Sequence, residues 1–210
     1  MRTDFDIETF LQDFGTNCTR IQKRSYSKGE VITTYIEKRN QMCILLSGTA
    51  NLIRYDFNGN KTIIGHFISS DIFGEVFYPT NTNNELFVEA KEDCVVLSFI
   101  YDHILKKCNP RCKFHEELEK KLPILIMNNT IKLNERIELL TKKSIRDKLI
   151  TYFTIISSKN FNKTFTLPFT LTDLADYLCV DRSAMMRELS HLKDEGFIAK
   201  KGKKITLLIS

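Results

Sequence analysis

The sequence has no apolar run approaching the roughly 18–20 residues that a membrane-spanning helix requires. Its N-terminus, MRTDFDIETF, carries acids where a secretory signal would place bases followed by an apolar stretch. Both absences point to a cytoplasmic protein. None of the six cysteines (Cys18, Cys43, Cys94, Cys108, Cys112 and Cys179) forms a CxxC pair. In a reducing compartment they read as free thiols, several packed as small hydrophobes. The four histidines are isolated from one another. No Ser-His-Asp arrangement, glycine-rich phosphate loop or paired-carboxylate pattern stands out, and internal repeats and low-complexity tracts are absent. The chain reads as a non-enzyme.

What is present is 210 residues, 42% hydrophobic and 27% charged, a soluble composition with enough chain for one large or two modest domains. The net charge of +5 is unevenly placed. Residues 142–210 hold 13 Lys and Arg against seven Asp and Glu, a net of +6, while the first 141 hold 18 against 19, a net of −1. A basic last third suits attraction to a polyanion, and a basic solvated face is the plainer explanation.

Residues 25–100 read as short strands between turns. Gly29 precedes the run Glu30-Val-Ile32; Cys43–Ser47 and Thr49–Arg54 flank Gly48. Asp56-Phe-Asn-Gly59-Asn is a hairpin signal, since Asn and Gly tolerate positive φ. Lys61–Ile68, Leu86–Ala90 and Cys94–Phe99 supply further strands, so an antiparallel barrel or sandwich is expected. From Phe114 to Lys159 there is one proline and no glycine, and apolar residues return at helical intervals. Pro123 fits a helix start. Beyond it Ile126, Asn129, Leu133, Ile137 and Leu140 recur every three or four residues. Spacing alone leaves two readings: a coiled-coil seam with Asn129 as its polar member, or a helix lying on its own domain's core. Ile145, Leu149, Phe153 and Ile156 line one face of a second helix that follows without an obvious breaker; Thr164–Pro168 is a short extended piece.

Thr170-Leu-Thr-Asp173 has the form of a capping box and opens a helix whose apolar face is Leu171, Leu174, Ala175 and Leu178. Asp181 is placed to cap the next helix. There Met185, Leu189 and Leu192 point toward a core, and Arg182, Ser183, Met186, Arg187 and Ser190 point away, with Gly196 as its C′ residue. Two short helices with an Arg/Ser face on the second form a helix-turn-helix, whose arginines can bond guanine O6 and N7 together. Phe197–Ala199, Lys200-Lys-Gly202-Lys-Lys204 and Ile205–Ile209 then read as strand, basic turn, strand, a wing whose lysines sit on phosphates. The competing reading is a plain helical hairpin followed by a lysine-rich β-turn.

In this order of parts the chain resembles the Crp/Fnr family of bacterial transcription regulators. The likeness runs from about Tyr26 to Leu208 and rests on Lys28-Gly29-Glu30, Leu45-Leu-Ser-Gly48, the Gly59 hairpin, Asp71-Ile-Phe-Gly74-Glu75, the central helix and LADYLCVDRSAMMRELSHLKDEGFI at 174–198. The resemblance implies an α+β fold: a cupin-like antiparallel β-roll sensor over 1–113, a dimerisation helix over 114–141 and a winged helix-turn-helix over 142–210. It turns the Ile126–Leu140 seam toward a dimer interface. It also implies double-stranded DNA, a second copy and RNA polymerase as partners, and no membrane. By position Arg182, Ser183 and Arg187 match the family's base-contacting places; Ser183 stands where cyclic-AMP-type members often carry glutamate. Thr172, Met186, Ser190, Lys200, Lys201, Lys203 and Lys204 fall to flanking or backbone contacts.

Cyclic-nucleotide-binding relatives follow Gly-Glu by an Arg-Ser or Arg-Thr pair whose arginine neutralises the cyclic phosphate. Here Gly74-Glu75 is present, but the pair aligns with Asn84-Glu85, and the intervening loop holds no positive charge. A carboxylate facing a phosphate repels it, so cyclic AMP in the usual pose is not expected. Gly74-Glu75 then reads as a turn kept for the fold. No cofactor is predicted. An iron–sulfur cluster would draw on Cys18 and the Cys108/Cys112 pair, short of four clustered thiolates; haem would draw on His66, His103, His115 or a cysteine. A cupin-type metal enzyme and an interaction protein that keeps the shape without DNA binding are the alternative functions.

Overall fold

The computed structural model describes residues 21–36, 40–78, 86–102 and 112–208. It divides into two compact units, Met1–Ile131 and Lys132–Ser210, with the boundary inside one long helix.

The first unit is built from β1 (Ile21–Tyr26), β2 (Val31–Thr34), β3 (Gln41–Ser47), β4 (Ala50–Tyr55), β5 (Lys61–Phe67), β6 (Ile72–Phe73), β7 (Leu86–Ala90) and β8 (Cys94–Ile100). They form two antiparallel four-stranded sheets, in the orders β1-β8-β3-β6 and β2-β7-β4-β5. The period of two decides which side chains meet. In β7, Leu86, Val88 and Ala90 are buried and the residues between them are half-buried. β3 is apolar without alternation because both its faces are covered. Cys43 and Leu45 join the core that also holds Leu52, Phe73 and Val88. Met42, Ile44 and Leu46 pack in a second cluster with Leu118 and Leu125 of α1 (Lys113–Thr141). The β4–β5 turn is tied by Asp56, whose Oδ1 accepts from the Asn58 and Asn60 amides at 2.8 Å each while Gly59 takes φ 77°. Hydrogen bonds from Asn60 hold that carboxyl below its ordinary range.

Helix α1 corrects one expectation. Pro123 lies inside it, not at its start. An interior proline forfeits a backbone hydrogen bond and crowds the preceding turn, at a cost of about 3 kcal/mol. Leu118 and Leu125, on either side of it, are 1% and 2% exposed, and burying such side chains contributes about 1.5–3 kcal/mol each. Packing therefore offsets the local penalty.

The second unit contains the end of α1, then α2 (Ile145–Asn160), β9 (Thr164–Thr166), α3 (Leu171–Leu178), α4 (Arg182–Asp194), β10 (Ile198–Lys201) and β11 (Lys204–Leu207). The break before α2, which shows no glycine or proline, is made at Ser144. Its Oγ accepts from the Asp147 amide at 3.0 Å and donates to the Asp147 carboxylate at 2.7 Å. The extended piece at 164–166 does not stand alone: β9 pairs with β11, with Phe165 opposite Ile205, giving the sheet order β10-β11-β9. One core joins Leu139, Leu149, Phe153, Leu174, Leu178, Met185, Leu189, Leu192 and Ile198.

Candidate nucleic-acid interface

The geometry of α3 and α4 follows from their caps. The Thr170 Oγ1 accepts from the Asp173 amide at 3.1 Å and donates to the Asp173 carboxylate at 2.8 Å, closing the expected box. The chain leaves α3 through Cys179 in the left-handed region, φ 52°. Asp181 then caps α4, accepting from the Ala184 amide at 2.7 Å. Beyond Asp194 the chain reverses at Gly196, φ 77°. Met185, Leu189 and Leu192 are buried, and Arg182, Ser183, Met186, Arg187 and Ser190 are exposed. The Ser190 hydroxyl donates to Asp194 at 3.4 Å. Thr172 is exposed in the first turn of α3. In the wing β10 and β11 pair up to Lys201 opposite Lys204, and Gly202 turns the chain with φ 61°. Lys201, Lys203 and Lys204 are exposed and Lys200 is half-buried.

Two arginines that sequence reasoning passed over hold this assembly. Arg146, in the first turn of α2, donates to Glu188 on α4 at 3.2 Å and to Glu195 at 3.1 Å, and its second terminal nitrogen pairs with the other Glu195 oxygen. Its guanidinium lies 4.8 Å from the centre of the Phe197 ring. Hydrogen bonding from Arg146 holds the Glu195 carboxyl below its ordinary range. Arg136, from the end of α1, stacks over the Tyr177 ring at 3.8 Å. Burial pushes the Tyr177 phenol up, and the arginine partly opposes it. No local pattern marks either residue, because the partners of Arg146 lie 42 and 49 residues further on.

The α1 seam is uncovered in the single chain: Ile126, Leu133, Ile137 and Leu140 are exposed and Asn129 is half-buried. In the first unit Gly74 has φ 131°, and a Cβ on it would lie 2.3 Å from the Gln41 carbonyl oxygen of β3. The turn therefore needs glycine for the fold itself. Glu75 is buried and opens a short 3₁₀ turn beside Cys43, whose thiol is pushed up to about 12 by burial and then by the Glu75 charge. Tyr35 and Tyr78 meet edge to face at 5.3 Å in the same region. Asn84 and Glu85 lie outside the described residues, as do Cys18, Cys108 and His103. His66 Nδ1 is 2.7 Å from Asn51 Oδ1, and His115 Nδ1 is 3.2 Å from Cys112 Sγ. Among the described residues no group of three or more His, Cys, Asp and Glu is placed to hold a metal ion, and no helix is long and apolar enough to cross a membrane.

A capped helix that turns arginines outward, backed by a lysine wing and joined to an antiparallel roll, defines a DNA-binding transcription regulator with a sensor-type domain. Residues 23–110 match the cyclic nucleotide-binding domain and residues 147–208 match the Crp-like helix-turn-helix domain. The chain belongs to the Crp/Fnr family. It is 26% identical over 196 residues to the transcriptional activator protein FnrL of Cereibacter sphaeroides, covering 86% of this chain and 74% of that one. It is 23% identical over 193 residues to the fumarate and nitrate reduction regulatory protein of Vibrio cholerae, covering 89% and 75%. The structure of FixK2 from Bradyrhizobium japonicum shares the fold, with a TM-score of 0.66, 19% identity and coverage of 89% and 92%. The two relatives matched by sequence are regulators rather than enzymes.

Proposed function

We propose that the protein regulates transcription in the bacterial cytoplasm as a homodimer on a palindromic DNA site. Arg182, Ser183 and Arg187 read base edges in the major groove. Thr172, Met186 and Ser190 flank them, and Lys200, Lys201, Lys203 and Lys204 meet phosphates. The division of α4 carries this reading: its apolar residues are buried in the unit's core while both arginines and the serine are exposed in and after its capped first turn. A dimer joined along Ile126, Asn129, Leu133, Ile137 and Leu140 calls for half-sites about 34–36 Å apart, one helical turn of the duplex. RNA polymerase is the further partner, supported by the likeness to a transcriptional activator. The working division is a sensor over 1–113, a dimerisation helix over 114–141 and a DNA-binding domain over 142–210.

The sensor does not take a cyclic phosphate in the manner of the nucleotide-binding relatives. The support is in the sequence: Asn84-Glu85 stand where the arginine pair of those relatives would, and the loop from Val76 to Asn84 carries no positive charge.

The test is a gel-shift titration of the full protein against a duplex that it selects from a random-sequence pool. Arg182→Ala or Arg187→Ala should weaken specific binding by about 1–3 kcal/mol and relax base choice. Replacing one wing lysine by Gln should weaken binding to all duplexes alike and lower the salt slope by about 1. Full affinity and specificity in both arginine variants would refute the assignment.

A further inference from the structure

We propose that Arg146 is a positioning residue for DNA reading: by pinning α4 at two points it sets the rotation of the helix about its own axis. The proposal rests on the reading that α4 presents Arg182, Ser183 and Arg187 to bases. Arg146 sits at the second position of α2, after the Ser144 cap. A cation in a helix's first turn opposes the helix dipole, so α2 itself offers no reason for an arginine there. Its partners do. One guanidinium takes Glu188 from the middle of α4 and both oxygens of Glu195 from just beyond its end.

The two anchors are seven residues apart, about 10 Å along the axis. A single contact off the axis opposes a roll of the helix; a second, two turns along nearly the same face and made to the same planar fork, itself packed against Phe197, opposes a tilt about the first. The helix with its side chains has a radius of roughly 5–6 Å, so a roll of about 10° carries a side-chain tip about 1 Å sideways. A bidentate hydrogen bond to a base edge does not survive that displacement. Glu188 is the chain neighbour of Arg187, so the pin acts beside a base-reading residue. The single charge of Arg146 is outnumbered by the two carboxylates beside it, which separates this role from that of a phosphate contact.

The test compares Arg146→Gln, Arg146→Lys, the single variant Glu195→Gln and the double variant Glu188→Gln/Glu195→Gln in the full-length protein. Affinity is measured for the selected duplex and for a scrambled one, at a temperature where circular dichroism shows each variant folded. The ratio of the two affinities should fall about tenfold in Arg146→Gln and in the double variant. It should fall comparably in Arg146→Lys, since an ammonium cannot supply the fork. Glu195→Gln carries the test should Arg146→Gln fail to fold. A wild-type ratio in Arg146→Lys would show that charge alone suffices and would overturn the proposal. An equal gain in affinity for both duplexes in the double variant would mark Arg146 as a phosphate ligand, with the same consequence. Arg187→Ala, run alongside, separates the layers. A lowered ratio there with an unchanged one in Arg146→Gln overturns the positioning role alone; an unchanged ratio in Arg187→Ala overturns the underlying assignment of α4.

Discussion

Converting Leu133 and Ile137 together to Asp should abolish self-association of the chain. The two side chains are 54% and 60% exposed, and Ile126 and Leu140 beside them are 41% and 38% exposed. Burying a Leu or Ile side chain fully contributes about 1.5–3 kcal/mol, so covering what these four still expose contributes about 1 kcal/mol each. A two-fold axis uses each residue twice, which brings the seam to roughly 8 kcal/mol. That is of the same order as the freedom lost when two molecules associate, so the proposed dimer has little margin. The double change removes about half of the gain and sets like charges against each other, weakening association by a factor of about 1,000 or more. Sedimentation equilibrium across about three decades of concentration reads the shift directly. Ile131→Asp is the control: Ile131 is 49% exposed, but it lies about 160° round the helix from Leu133. Wild-type association in the double variant, or the same loss in the control, would refute the seam as the interface.

Three further outcomes are expected. Asp181→Ala removes the cap of α4 and should cost about 1 kcal/mol, lowering the melting temperature of the second unit by about 4–8 °C in calorimetry; an unchanged transition would show that the first turn of α4 does not depend on this carboxylate. Gly74→Ala sets a methyl group 2.3 Å from the Gln41 carbonyl oxygen at φ 131°, and should destabilise the first unit by about 3 kcal/mol in urea unfolding; wild-type stability would mean that β3 can yield there. Burial raises the Cys43 thiol from 9.0 to about 12 and pushes the Tyr35, Tyr152 and Tyr177 phenols up as well. The folded state binds these protons more tightly than the unfolded chain, so the contribution of these groups should be level below pH 9 and stability should fall as the pH rises from there toward about 12. A urea midpoint constant across that range would contradict the buried placement of these groups.

The features legible in the sequence are those whose cause is local. Leu86, Val88 and Ala90 alternate because a strand alternates. The Thr170–Asp173 box and the Asp181 cap are legible because the groups they satisfy lie within three residues. The start of α2 had the same kind of signal: Ser144-Ile-Arg-Asp147 repeats the form of the Thr170 box and marks the break that no glycine or proline announces. Pro123 misleads for the opposite reason, since its local preference is overruled by leucines packed against strands far back in the chain. The pairing of β9 is hidden likewise: three residues carry little periodicity, and their partner strand lies some 40 residues away.

At the candidate site the same distinction separates the proposed reading face from what packs against its helix. The exposed and buried sides of α4 follow from helical spacing within a few residues. Arg146 could not be told from any other surface arginine, because its two carboxylates are set beside it only when α2, α4 and β10 fold together. The sensor end is harder still. Gly74 is required by the approach of its backbone to β3 whatever the roll binds, so its presence carries no information about a ligand. The positions that align with the arginine pair of cyclic-nucleotide-binding relatives are Asn84 and Glu85, a carboxylate in place of a guanidinium. A roll can therefore keep its turn and its buried acid without a guanidinium at the aligned position, whereas α4 would lose, with its arginines, the forked donors that can bond guanine O6 and N7 together.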